Sequence, residues 1–260
     1  MFFYLFALWF PEWRPHFSFV QGAVANEMMV LRWMHLVFGI MWIGLLYFLN
    51  LVLTPAMKNC DPELRVKIIP ELMPGAMGWF RWSALVTVVV GLRYFTIHLA
   101  SDARLAGDRS LIGKWLGWWL VVWLVTYVFI YALQLPAKGI RDSVWVRVIG
   151  IAVVVMVASW LVLALNGGPD VSNAHLAISV GGGLGLVMLL NTWGVVWRVQ
   201  KRLIGWARAS AEQGVAMPEE AARLMRWNYL TARTSFWLSF PMLFFMGAAS
   251  HYPFLSSVAR

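Results

Sequence analysis

Six stretches of the chain carry apolar residues in unbroken runs, at residues 27–54, 79–100, 112–135, 144–165, 173–198 and 229–250. Each is close to the roughly 20 residues that an α-helix needs to cross the hydrocarbon core of a bilayer. Because the runs are continuous rather than alternating, they predict helices and exclude the period-two strands of an outer-membrane barrel. The breaks between them carry helix-stopping chemistry: Thr54 before Pro55, Ser101 before Asp102, Pro136 with Gly139, Asn166-Gly167-Gly168-Pro169, and the polar stretch from Gln200 to Asn228. Within that last stretch, Pro218-Glu219-Glu220 predicts the first turn of a short helix running through Ala221 to Met225. The expected fold is an all-α integral membrane protein, a bundle of about six transmembrane helices. Residues 1–26 are expected as an interfacial segment, 27–254 as the single membrane domain, 199–228 as a loop containing the short helix, and 255–260 as a tail.

Composition strengthens this picture and removes several functions. The 260 residues are 61% hydrophobic and 13% charged, against about 25% charged in soluble domains. The 17 Trp suit the two water–lipid interfaces. A net charge of +9 would suit nucleic acid, but the basic residues sit in short loops between apolar runs, so they report topology instead. Thirteen Lys and Arg, including Lys58, Arg81, Arg198 and Lys201, fall on the side of the odd-numbered loops, and seven on the other. By the positive-inside rule the odd loops are expected in the cytoplasm and both termini in the periplasm of a bacterial inner membrane. The lone Cys60 excludes an internal disulfide, and no Cys-x-x-Cys-His occurs for covalent c-type haem. The chain shows no Ser-His-Asp set, no paired intramembrane carboxylates and no His-Glu-x-x-His zinc motif, so hydrolytic chemistry has no support.

Ionisable residues inside spans are costly and therefore informative. His35, His98, His175 and His251 all fall towards the expected periplasmic end of their helices. Neutral imidazoles from two helices can clamp a b-type haem axially, so His35, His175 and His251 are candidate iron ligands, with His98 ranked after them. Gly39, Gly247, Gly182 and Gly183 lie one or two turns from these histidines and would admit a flat macrocycle. Arg32 and Arg93 are candidate partners for its propionates. The plainer readings are interfacial hydrogen bonding for each histidine and helix packing for the glycine run at 181–185. The 14 Met serve as apolar filler or, less expectedly, as copper ligands.

Leu31-Arg32-Trp33-Met34-His35, followed by Gly39-Ile40-Met41-Trp42-Ile43-Gly44, resembles the membrane domain of bacterial membrane-bound urate hydroxylases. The likeness continues at Trp79-Phe80-Arg81-Trp82, Ala174-His175 and Asn191, and is strongest in Arg233-Thr234-Ser235-Phe236-Trp237-Leu238-Ser239-Phe240-Pro241 through Ser250-His251-Tyr252-Pro253. It covers most of residues 30–253. The first run is also similar, more loosely, to membrane-type protoporphyrinogen oxidases and copper-resistance membrane proteins. The resemblance implies an oxidoreductase acting on urate or another small reductant and passing electrons to a cytochrome c domain fused after the membrane part. Residues up to Arg260 hold no such domain, so a separate periplasmic cytochrome c, or a larger respiratory or photosynthetic complex, is the expected partner. His35, His175 and His251 match the family pattern and His98 does not. Two other functions are carried beside this one, a non-catalytic subunit of a membrane complex and a copper transport or delivery protein.

Overall fold

The computed structural model describes residues 22–135 and 143–255. Among these the chain is helical with no strand, and it forms six continuous rods. We label its α-helical segments α1 (Ala23–Tyr47), α2 (Thr54–Asn59), α3 (Pro62–Leu105), α4 (Leu111–Gln134), α5 (Val144–Asn166), α6 (Asn173–Asn191), α7 (Trp197–Gln213) and α8 (Glu220–Ala248). A π-helical turn, Phe48–Leu53, joins α1 to α2, and another, Thr192–Val196, joins α6 to α7. Five rods are long and apolar enough to cross a membrane: Ala23–Asn59, Lys67–Leu105, Leu111–Gln134, Val144–Asn166 and Asn173–Gln213. The protein is an all-α, multi-pass membrane bundle.

The sixth rod, α8, is more polar because Arg233, Thr234, Ser235 and Ser239 interrupt its apolar face. It nevertheless runs antiparallel to α6 from one end to the other. Asn191 donates to Ser235 at 3.1 Å, and at the opposite end Asn173 donates to the carbonyls of Ala248 and Ala249 at 3.4 and 3.1 Å.

Three expected breaks are displaced or narrowed. Pro55 follows the π turn without ending the rod, since proline is tolerated in the first turn of a helix and here falls in that of α2. The Thr54 hydroxyl donates to the Leu49 carbonyl at 2.7 Å, supplying a bond to the backbone beside the missing N–H. Ser101 and Asp102 lie inside α3, which continues to Leu105. The stretch at 199–228, expected as a loop with a short helix, is helical to Gln213 and again from Glu220, where the expected first turn runs straight into α8. Gly214, at φ 67°, ends α7 with its N–H on the Ser210 carbonyl. Of the expected N-terminal segment 1–26, residues 1–21 lie outside the described residues, whereas Ala23 to Asn26 already belong to α1. The Pro136 and Gly139 break and all of the tail except Leu255 also lie outside them.

At the centre stands α6. Small residues allow neighbours on several sides to approach its backbone. A Cβ on Gly181 would lie 2.8 to 3.2 Å from Met246, Phe245 and Met242 of α8. On another side, Trp119 and Trp123 of α4 both donate their indole N–H to the Ser179 carbonyl, at 2.9 and 3.0 Å. Around α6 lies the main core, with Phe95, Leu99, Trp123, Ile130, Val162 and Leu184 fully enclosed. Beyond it, α7 and the start of α8 share a small satellite core of Val195, Val199 and Leu224 packed with Trp206 and Trp227.

Candidate functional site

The chemistry gathers where α3 and α5 end and α4 and α6 begin. Asp102 lies in the last turn of α3 and is buried. Its Oδ2 accepts three hydrogen bonds, from the Ser172 N–H, the Ser172 hydroxyl and His175 Nδ1, each at 3.0 Å. Ser172 is at the same time the N-cap of α6, its hydroxyl oxygen accepting from the His175 N–H at 3.3 Å. One serine thus caps a helix and ties that helix to a carboxylate on a distant one.

His175 is fully buried. Its ring meets Trp115 and Phe95 edge-on, with centroids 4.9 and 5.8 Å apart. Since the carboxylate only accepts, Nδ1 carries the proton, and Nε2 is the basic nitrogen. That Nε2 is buried without a hydrogen-bond partner. His98 stands one turn before Asp102 on the same helix face, its ring 4.9 Å from Tyr94 and its own Nε2 likewise buried and unpartnered. Asn173 closes the site towards the end of α8, accepting from the Leu255 N–H at 3.2 Å while its amide bonds Ala248 and Ala249.

The other sequence-predicted residues are placed elsewhere. His35 lies on the α1–α3 seam, where Nδ1 donates to the Thr87 carbonyl at 2.9 Å. It reaches that carbonyl because Gly91 lacks a Cβ, which would lie 2.8 Å from the His35 ring. Thr87 and Asp102 are about 20 Å apart along α3 at the α-helical rise. His35 and His175 therefore do not share one iron, which corrects the expected convergence of His35, His175 and His251. His251 follows α8 on the exposed surface, its Nδ1 donating to the Gly247 carbonyl at 3.0 Å. Arg32 is exposed, and Arg93 makes a two-pronged pair with Glu27 of α1 at 2.6 and 2.9 Å.

The glycines also divide. A Cβ on Gly39 would lie 3.7 Å from the Thr87 methyl, an ordinary contact, and Gly247 faces open space. Gly182 sits beside Ile178, Met246 and Trp119, while the place of a Cβ on Gly183 is taken by the Trp123 indole. Gly183 thus admits Trp123 and Gly182 is flanked by packed side chains, so the slot expected there for a macrocycle is filled. Among the described residues no group of three His, Cys, Asp or Glu side chains is arranged to hold a metal ion. What remains is a carboxylate that fixes one imidazole's tautomer, and two buried imidazole nitrogens able to take a proton or ligate a haem iron.

Asp102 and Ser172 were not legible as site residues. Asp102 reads as part of a break, and its one signal is the i,i+4 spacing from His98. The link to His175 is tertiary, with two whole spans, α4 and α5, between them in the chain. No protein-family model matches the chain, and neither a curated protein nor a solved structure matches it.

Proposed function

We propose that this chain is a redox protein of the bacterial inner membrane that holds b-type haem through His175, with His98 as the second donor at the same end of the bundle. In this reading it exchanges electrons with a separate cytochrome c or a larger respiratory or photosynthetic complex, with urate or another small reductant as substrate. One observation carries it: His175 Nδ1–H donates a hydrogen bond to the Asp102 carboxylate and leaves Nε2 buried and without a partner. A ligating histidine is oriented in this way by an outer carboxylate, which also raises its basicity, and buried polar atoms without partners are rare enough to call for an explanation.

Haem bound there would supply a one-electron couple. The chain's own residues do the rest. Asp102 holds the imidazole tautomer, Ser172 holds Asp102, and Trp115 and Phe95 keep water from the ring. Because Arg93 is engaged by Glu27, propionate pairing falls to other cations or to water.

The expected result for purified protein is a positive pyridine haemochrome assay and reducible Soret and alpha bands. His175→Ala should lose the haem or turn it high-spin, and His35→Ala should leave the spectrum unchanged. Unaltered spectra in both His175→Ala and His98→Ala would rule out this ligation. Protein free of haem favours the non-catalytic subunit, a reading that the tryptophan-filled glycine slot supports, and copper without iron on elemental analysis favours copper delivery.

The orientation belongs to the same proposal. The basic asymmetry supports a periplasmic His175 end and a cytoplasmic turn at Gly214. A phosphatase reporter inserted at Gly214 is expected to be inactive. Activity there would invert the topology and move the histidines to the cytoplasmic face.

A further inference from the structure

At the end of the bundle opposite His175 lies a cavity of about 540 Å³ between α4 and the junction of α6 with α7. Its walls include Tyr127, Trp193, Gly194 and Trp197, its charged members are Arg198 and Lys201, and among the described residues no acidic side chain lines it. The π turn Thr192–Val196 supplies Trp193 and Gly194 to its wall. Gly194 within it lets the Tyr127 hydroxyl come so near that a Cβ would lie 2.7 Å away. The two indoles are held in place from behind, since Arg81 stacks on Trp197 at 3.7 Å and on Trp193 at 5.5 Å, and Trp193 donates to the Arg81 carbonyl at 3.0 Å.

The cations of this region are not equivalent. Arg202 pairs with Glu220 and Arg208 with Glu212. Arg198 and Lys201, at i and i+3 on one helix face, are exposed at the cavity with no acidic partner among the described residues. Like charges so placed repel each other unless an anion lies between them. The site is about 35 Å from His175 along the rod, close to the full depth of a bilayer's apolar core and interface. The outward residues of α4 beside Tyr127, namely Leu124, Val125 and Val128, are exposed and apolar, a surface suited to acyl chains.

We infer that this cavity binds the phosphodiester headgroup of a net-anionic phospholipid, with the phosphate on Arg198 and Lys201 and the indoles of Trp193 and Trp197 at the headgroup boundary. Basic pockets between spans at a membrane surface take such headgroups, and each nearby cation adds to the attraction. The inference is independent of the redox reading.

Native mass spectrometry of the full chain in detergent, titrated with phosphatidylglycerol or phosphatidylcholine, tests it. Wild-type protein should prefer phosphatidylglycerol, and the double variant Arg198→Gln/Lys201→Gln should bind it about tenfold or more weakly, with phosphatidylcholine binding unchanged. Arg104→Gln/Arg109→Gln, which removes the same charge at the other end, should leave binding as in wild type. The inference is overturned if the two lipids bind equally, if both double variants weaken binding alike, or if millimolar inorganic phosphate displaces the lipid, which would make free phosphate the ligand.

Discussion

Asp102→Ala is expected to destabilise the folded protein by about 3 kcal/mol, seen as an earlier thermal unfolding transition in detergent. The substitution leaves the Ser172 N–H and His175 Nδ1–H, both pointed at a buried oxygen, with no acceptor, and each orphaned donor costs on the order of 1 to 3 kcal/mol. The Ser172 hydroxyl can rotate to another acceptor and adds less. Asp102→Asn keeps the volume and one acceptor oxygen, so it should fall between Asp102→Ala and wild type. Ser172→Ala removes one donor and the N-cap, a loss of roughly 1 kcal/mol. The ordering Asp102→Ala, then Asp102→Asn, then Ser172→Ala is the discriminating result. A wild-type melt for Asp102→Ala would show that the carboxylate does not hold α3 to α6.

A larger effect is expected from a single methyl group. In Gly183→Ala the new Cβ would lie 1.9 to 2.3 Å from three atoms of the Trp123 indole. That ring is fully buried and is anchored through Nε1 to the Ser179 carbonyl, so it cannot swing aside without losing the bond and disturbing the core. Overpacking of this kind costs about 3 kcal/mol or more, and the variant should accumulate poorly in membranes. Gly185→Ala, two residues on, meets nothing within 4 Å. It should be neutral or stabilising by up to about 1 kcal/mol, because alanine favours the helix. Trp123→Leu should partly restore Gly183→Ala. Equal stability of the two alanine variants would mean that Trp123 does not occupy the Gly183 notch.

The spans at 112–135 and 144–165 were legible almost to the residue, and that at 173–198 at its start though not at its end, because the bilayer forces apolar runs of fixed length and satisfies no backbone break inside them. The ends were harder. Thr54 and Pro55 carry a strong local stop signal, yet a π turn and a threonine hydroxyl carry the rod past it. Asp102 belongs inside α3 only because donors from residues 172 and 175 stabilise it there, and no local pattern contains that information. Likewise, α7 is polar enough to read as loop, and it is helical because one face packs Val199 and Leu203 into the satellite core.

The candidate site was half visible. Intramembrane histidines stand out by cost alone, which is why His175 is named from the sequence. Proximity was a different matter. His98, which sequence ranked last, shares Asp102's helix face with His175 opposite, whereas His35 lies about 20 Å along α3 from them. The glycine run had two readings, and which neighbour filled it depended on tryptophans some sixty residues away.

The length of α3 has a mechanical consequence. From Asp102, about 30 Å of helix, the thickness of the hydrocarbon core, ends near Arg81 and Trp82, so the rest of the 44-residue rod protrudes beyond it. Pro70 and Pro74 lie in that protruding part, and each deletes one backbone bond and crowds the preceding turn. The rod is thus more compliant in the part beyond the lipid than within it. A pull or torque on the protruding end would be absorbed as bending at the prolines, like strain relief on a cable, and the Asp102–His175 spacing at the far end would be insulated from forces acting on the other side of the membrane.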